Sequence, residues 1–305
     1  MHIVVMGSGG VGGYFGARLA QAGEKVSFIA RGKHLEAMRA KGLSVKSALG
    51  DAQLKVRVFQ DPREAGPADV VMFAVKLWDT EGAAEQIRPI VQDGVVIPFQ
   101  NGVDSASILQ RVLGAQHVLG GVAYIAATIR APGVIAHTGA MAKLVVGAFD
   151  GGNAVAAAAF RDACVQAGID ADLAPDIRRA LWEKFCFLAA VSGTTTLARQ
   201  PLGVVRDDPD LRHAFEAAMR EVWHLGRARG VGLADDFIER QMAFLDTLPA
   251  QMRSSMLNDL VAGNRLEAPW LSGAVARMAA ESGTAAPVNA TMFAAMKPYI
   301  DGARS

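Results

Sequence analysis

Residues 2–23, HIVVMGSGGVGGYFGARLAQAG, constrain the fold more than any other stretch of the chain. A short β-branched run leads straight into a glycine-rich turn, and the turn leads into a helical pattern that stops at Gly23. The turn spells G-x-G-x-x-G with Gly7, Gly9 and Gly12, and Ser8, Gly10 and Val11 lie between them. Such a motif says little alone, because glycine is common and six positions are few. Between a strand and a helix it becomes informative. Gly7 permits the tight turn, Gly9 lets the backbone approach a pyrophosphate, and Gly12 lets helix and strand pack closely. The helix then presents its N-terminal N–H groups and a partial positive charge to phosphates. Residues 7–12 are therefore candidate cofactor-binding residues; a glycine-rich turn with no ligand is the competing reading.

The pattern continues with KVSFIAR as a second strand, GKHLEAMRAKGL as a helix, and ADVVMFAVK and GVVIPFQNG as further buried strands. Short apolar runs alternating with helical patterns predict a parallel sheet covered on both faces. GGVAYIAATIRAPGVIAHTG predicts two strands around Pro132–Gly133, and AKLVVGAF a last one. From Pro175 the strand signal fades. DIRRALWEKFCFLAAVSG, DLRHAFEAAMREVWHLGRARG, DDFIERQMAFLDTL and EAPWLSGAVARMAAESG all carry helical periodicity. The expected class is α/β: a Rossmann-type dinucleotide-binding domain over 1–170, followed by an all-α domain over 171–305. At 305 residues, two domains are the better expectation.

The second strand ends on Arg31. In NAD-binding domains an acidic residue near this position accepts from the ribose 2′-hydroxyl, and it would repel a 2′-phosphate. A planar guanidinium does the reverse and grips a phosphate with two hydrogen bonds. Lys33 and His34 are expected to add positive potential. Arg31 thus points to NADPH, against the plain alternative of an arginine solvated at a strand end.

Other classes recede. A formal net charge of +1 invites neither nucleic acid nor an anionic membrane. The two cysteines, Cys164 and Cys186, are too few and too far apart for a zinc site, and the scattered histidines form no metal-binding pair, so no metal is expected. No apolar run reaches the roughly 18 residues of a membrane span, and no basic leader precedes the first strand. A cytoplasmic protein is the resulting expectation.

The helical segment 176–193 carries the second informative residue. Asp176, after Pro175, suits an N-cap. At 100° per residue, Ile177, Ala180, Leu181, Leu188, Val191 and Ser192 share one side, and Lys184 lies within that stripe. A lysine so placed either snorkels outward or meets a polar partner in a cavity. The second option suits a carbonyl reductase, because burial lowers an ammonium's pKa towards working pH and makes it a proton donor. Lys76, ending VVMFAVK, and Asn101, after VVIPFQ, stand just beyond strand ends, where open α/β sheets bind ligands. Each also has a bland reading, as a solvated lysine and an Asn-Gly turn.

GSGGVGGYFGARLAQAG, ARGKHLEAMRAKGL, VKLWDT, QNGV, HTG, IRRALWEKF, SSMLNDL and APVNATMFAAMK together resemble the ordered motifs of the ketopantoate reductase (2-dehydropantoate 2-reductase) family, from residue 2 to about 298. The resemblance implies a Rossmann domain joined to a helical domain, with NADPH and a 2-oxo acid bound in the cleft between them. It implies that Lys184 is the catalytic lysine and Glu267 its partner, in contact with substrate and cofactor. Lys76 and Asn101 would line the nicotinamide and substrate, and Ser255 would bind substrate. From the residues alone, Glu267 is only a good first-turn acid and Ser254–Ser255 only a helix cap.

The chain departs from the family where asparagines stand four and eight residues after the catalytic lysine. Those positions hold Leu188 and Ser192, and E-I-D-Y-x-N-G has become E-A-P-W-L-S-G. Ser192 remains a candidate substrate-binding residue, whereas a leucine replaces neither the donor nor the acceptor of an amide. The expected activity is NADPH-dependent reduction of 2-dehydropantoate to pantoate, in pantothenate biosynthesis. The alternatives are a related reductase of a less polar 2-oxo acid or ketone, and a non-catalytic NADPH-binding sensor. The expected partner is a small 2-oxo acid, and a homodimer is left open.

Overall fold

The computed structural model describes residues 1–150 and 152–302. Their contacts divide into two compact units: Met1–Gln100 with Asp104–Ala180, and Asn101–Val103 with the chain from Leu181 onward.

The first unit opens with β1 (His2–Met6), α1 (Gly10–Gln21), β2 (Lys25–Ile29) and α2 (Gly32–Lys41). The short strands β3 (Leu43–Lys46), β4 (Ala52–Leu54) and β5 (Arg57–Phe59) follow, then β6 (Val70–Phe73), α3 (Thr80–Val91), β7 (Val95–Pro98) and α4 (Ser105–Leu113). Five of these strands form a wholly parallel sheet in the order β5-β2-β1-β6-β7. Its strands are apolar on both faces, as a covered parallel sheet requires. Ile3 and Val5 of β1 enter one core cluster with Val70, Met72, Val95 and Ile97, while Val4 and Met6 enter another with Val71, Phe73 and Val96. This is strand alternation with both sides buried.

The rest of the unit differs from the sequence expectation. β8 (Leu119–Ala131) and β9 (Val134–Ala148) form one long antiparallel hairpin that turns at Pro132–Gly133, so AKLVVGAF is the end of β9 and not a separate strand. After α5 (Ala154–Gln166), β10 (Asp170–Leu173) pairs parallel with β9, which also pairs parallel with β3, while β3 and β4 pair antiparallel. These strands make a second, mixed sheet in place of a continuation of the first.

α6 (Ile177–Ala198) runs five residues beyond the expected end. Asp176 caps it, its carboxylate accepting from Arg179 N at 3.0 Å. The Thr194–Thr196 run stays helical although β-branched residues disfavour it, because Thr194 and Thr195 turn their hydroxyls back onto the Ala190 and Val191 carbonyls at 2.8 and 2.6 Å. The partition of the chain falls inside α6, after Ala180, ten residues later than the change of pattern at 170 suggests.

The second unit continues with α7 (Leu202–Asp207), α8 (Pro209–Ala228), α9 (Phe237–Thr247), α10 (Ser255–Val261), α11 (Ser272–Ser282) and α12 (Pro287–Met296). Its core gathers Phe185, Cys186, Ala189 and Val191 of α6 with Phe215, Met219 and Val222 of α8, Leu266, and Val275 of α11. EAPW does not begin α11; it forms a short 3-10 turn, Ala268–Trp270, ahead of it. Cys164 and Cys186 are buried and free, and burial pushes both thiols upward, that of Cys164 to about 12.

Candidate functional site

In the first unit the glycine turn has the geometry its spacing implies. Gly7 sits at φ +98°, and a β-carbon there would lie 2.7 Å from the Ala74 backbone. At Gly12 an added β-carbon would stand 2.3 Å from Gly7 O and 2.8 Å from Val5 Cγ1, so only glycine lets α1 lie against β1. At Gly9, by contrast, a β-carbon would meet nothing within 4 Å. The backbone there borders open space, as a cradle for a pyrophosphate must. Gly9 is also the N-cap of α1, with no side chain capping the helix and no acid in its first turn, so its dipole is left for an anion. Gly10 is fixed for another reason: a β-carbon would collide with the Ala127 carbonyl of β8.

Two side chains shape the surroundings of this turn. Ser8 is buried, and its hydroxyl donates to Ile29 O at the end of β2. His34 bridges the Ser8 carbonyl, 2.9 Å from its Nε2, and the Gly133 N–H, which donates to its Nδ1 at 3.0 Å. Because Nδ1 accepts, the proton is on Nε2 and the ring is neutral. Burial also lowers its pKa below 6.5. His34 is thus a clamp on the turn rather than a source of positive potential, which corrects the expectation for it.

Arg31 stands two residues beyond β2, at the N-cap of α2, with its side chain 74% exposed, and its guanidinium lies 2.7 Å from Asp79 Oδ2. The turn that carries Asp79 follows β6. Asp79 N donates to Lys76 O at 2.9 Å, Thr80 Oγ1 to Leu77 O at 2.7 Å, and buried Gln100 donates to both Val75 O and Thr80 Oγ1 at 2.9 Å. Lys76 is exposed at the start of this turn, its Nζ 5.5 Å from the centre of the Trp78 ring. Asp79, Thr80 and Gln100 lie in the VKLWDT and QNGV motifs, but nothing local marks these contacts, because the partners lie up to 48 residues away.

In the second unit Lys184 does not snorkel. It is half-buried, and its Nζ donates to Asn101 Oδ1 at 3.1 Å. Burial lowers its pKa from 10.5 to about 8, against the opposing pull of the Glu267 carboxylate. Asn101 therefore joins the helical unit, with Val103 packed on its core, although it follows a strand of the first unit. Glu267 is half-buried and heads the Ala268–Trp270 turn, its carbonyl accepting from Trp270 N at 3.0 Å. Lys184, Asn101 and Glu267 are the expected residues that the fold brings together.

Ser192 and Ser255 do not join that group. Ser192 is fully buried, so its hydroxyl is closed to a substrate in this arrangement. Of the serine pair, Ser254 is the cap: it accepts from Leu257 N at 3.0 Å and meets Thr195 Oγ1 at 2.8 Å. Ser255 is the exposed first residue of α10. Leu188, one turn beyond Lys184, is half-exposed. Among the described residues, no group of three or more His, Cys, Asp or Glu could hold a metal ion, and no helix is long and apolar enough to cross a membrane.

Two family models match the chain: "Ketopantoate reductase PanE/ApbA" over residues 3–151 and "Ketopantoate reductase PanE/ApbA C terminal" over residues 176–299. The chain belongs to the ketopantoate reductase family. It is thereby an oxidoreductase. It is 34% identical to a 2-dehydropantoate 2-reductase of Archaeoglobus fulgidus, with 96% of this chain and 95% of that one covered. It is 31% identical to an uncharacterized oxidoreductase, YkpB, of Bacillus subtilis, over 98% and 99% of the two chains. Among solved structures, the 2-dehydropantoate 2-reductase of Geobacter metallireducens superposes with a TM-score of 0.91 at 29% identity, covering 98% of this chain and 99% of that one. A D-mandelate dehydrogenase with NADH also reaches a TM-score of 0.91, at 19% identity over 98% of both chains, which shows a shared fold.

Proposed function

We propose that the protein is an NADPH-dependent reductase of 2-oxo acids, with 2-dehydropantoate as the leading substrate and pantoate as product. The observation that carries this reading is Lys184: a half-buried ammonium, held by Asn101 at 3.1 Å, with its pKa brought down to about 8. An ammonium so poised gives up a proton near neutral pH far more readily than a solvated lysine does. The residues of the glycine turn fit a dinucleotide, and a bound NADPH supplies the hydride for C2 of the 2-oxo acid. Lys184 polarises the carbonyl oxygen and protonates the alkoxide as it forms. Asn101 takes one N–H of the ammonium and so directs the others. Glu267 opposes the loss of the ammonium's charge and orients substrate. Lys76, Asn101 and Glu267 contribute to holding the cofactor, and Ser255 to binding substrate. A 2-hydroxy acid and oxidised cofactor result. A sensor that only binds NADPH has no use for a proton donor of this kind.

Leu188 and the enclosure of Ser192 favour a second reading, a less polar 2-oxo acid as the true substrate. A site built to bond a hydroxyl rejects analogues lacking it by about 10⁴-fold, while an apolar pocket discriminates far less. A panel of 2-oxo acids, followed by loss of NADPH absorbance, decides between the two. With Leu188 in the amide's place, 2-oxoisovalerate, which lacks the hydroxyl, is expected to be reduced about as efficiently as 2-dehydropantoate. Its strong exclusion would assign hydroxyl recognition to other residues, and no turnover of any 2-oxo acid would return the sensor.

A further inference from the structure

We propose that Asp79 is a second determinant of cofactor choice, acting on Arg31 to restrain NADPH and to admit NADH; this rests on the reading of Arg31 as the 2′-phosphate site. The topology carries the proposal. β1 ends in the glycine turn, and its two neighbours in the sheet are β2 and β6. Arg31 extends from just beyond β2, and Asp79 from the turn that follows β6. Their ion pair at 2.7 Å thus links the two strands that flank β1.

The two partners are not equally free. The Asp79 turn is pinned by the Lys76 carbonyl, Thr80 and Gln100, and the Asp79 side chain is 31% exposed. Arg31 is 74% exposed and has no side-chain capping role on α2. The carboxylate is the fixed member, and the guanidinium leans onto it. Any phosphate gripped by Arg31 shares the guanidinium with a carboxylate already in contact, and the like charges repel. A ribose 2′-hydroxyl meets the opposite situation, because the carboxylate can accept its proton. Asp79 therefore supplies, from the end of β6, the acid that the end of β2 lacks.

The test uses the full-length chain and titrations of NADPH, NADH, 2′,5′-ADP and 5′-AMP, followed by fluorescence and calorimetry, so that binding is read apart from turnover. Asp79→Asn is expected to raise the affinity ratio of 2′,5′-ADP over 5′-AMP, and of NADPH over NADH, by about tenfold. That gain is expected to vanish when Arg31→Ala is added. Asp79→Ser, with a thermal melt of each variant, separates the effect from any local loss of folding. Unchanged or reduced ratios in both Asp79 variants would overturn the proposal and make Asp79 a strut for Arg31. Should Arg31→Ala leave 2′,5′-ADP binding intact, the NADPH reading itself fails. Selective loss in Arg31→Ala with no gain in either Asp79 variant removes only the inference about Asp79.

Discussion

Arg31 and Lys184 carry the same formal charge in opposite surroundings. Arg31 lies open to water against a pinned carboxylate, whereas Lys184 is half-buried on an otherwise apolar helix face, against an amide. Solvent screens an exposed ion pair until it contributes little to stability, so the Arg31–Asp79 contact can act on ligand choice without holding the fold together. Desolvation acts on the buried ammonium itself and moves its pKa to about 8. The exposed cation is suited to selecting a ligand. The buried one is suited to giving up a proton.

The largest expected effect tests the buried member. Lys184→Met keeps most of the apolar length but removes the charge and the donor, and kcat should fall by roughly 10²–10⁴ with NADPH affinity little changed. The wild-type rate should hold at lower pH and decline as pH rises through about 8, because the donor is lost on deprotonation. Steady-state kinetics over pH, alongside cofactor titration and a thermal melt, check both. A folded Lys184→Met enzyme of near wild-type rate would reduce Lys184 to packing and erase the contrast with Arg31.

Arg31→Ala comes next. A hydrogen bond to a charged group is worth ~1.5–3 kcal/mol, so NADPH binding should weaken by roughly 10- to 150-fold. NADH binding should barely move, and kcat with saturating cofactor should stay near wild type. Equal losses for both cofactors would mean that Arg31 is structural.

The smallest effect concerns His34, which sharpens the comparison because it is held neutral. Its folded pKa lies below 6.5, so the unfolded chain takes up the proton first, and the stabilising contribution of the neutral ring is full above 6.5 and lost as pH falls. Protonation would also set an Nδ1–H against the Gly133 N–H. NADPH affinity is expected to weaken by roughly two- to tenfold on acidification, the worth of one hydrogen bond. His34→Gln, which retains a donor and an acceptor without titrating, should flatten that acid limb in a binding-against-pH series; an unaltered limb would assign it to another group.

Much of this was legible beforehand, and unevenly so. The parallel sheet showed in continuous apolar runs, because strands covered on both faces leave no polar position to disguise them. Lys184 showed as an interruption of a stripe, and the resemblance of the motifs gave it Glu267 as a partner. The mixed second sheet did not show. β9 pairs with β3 across roughly ninety residues of sequence and with β10 on its other side, and nothing local marks either register. His34 was misread as a charge because its protonation depends on a donor 99 residues away. Ser192 was singled out by its place eight residues after the lysine, and a position in a motif does not say how deeply the residue is covered; its full burial belongs to the packing around α6.

Local sequence, acting through backbone sterics and hydrophobic period, determined the strand–glycine turn–helix unit, the cation just beyond β2 and the lysine in the helical stripe. Those features depend on residues a few positions apart, so the sequence states them directly. Tertiary structure decided the rest: that Asn101 joins the helical unit and holds Lys184, that Asp79 meets Arg31, and that His34 is neutral. Each of these depends on the electrostatic surroundings of a charge or a hydrogen-bonding group. Those surroundings are built by residues distant in sequence and exist only once the chain has closed around them.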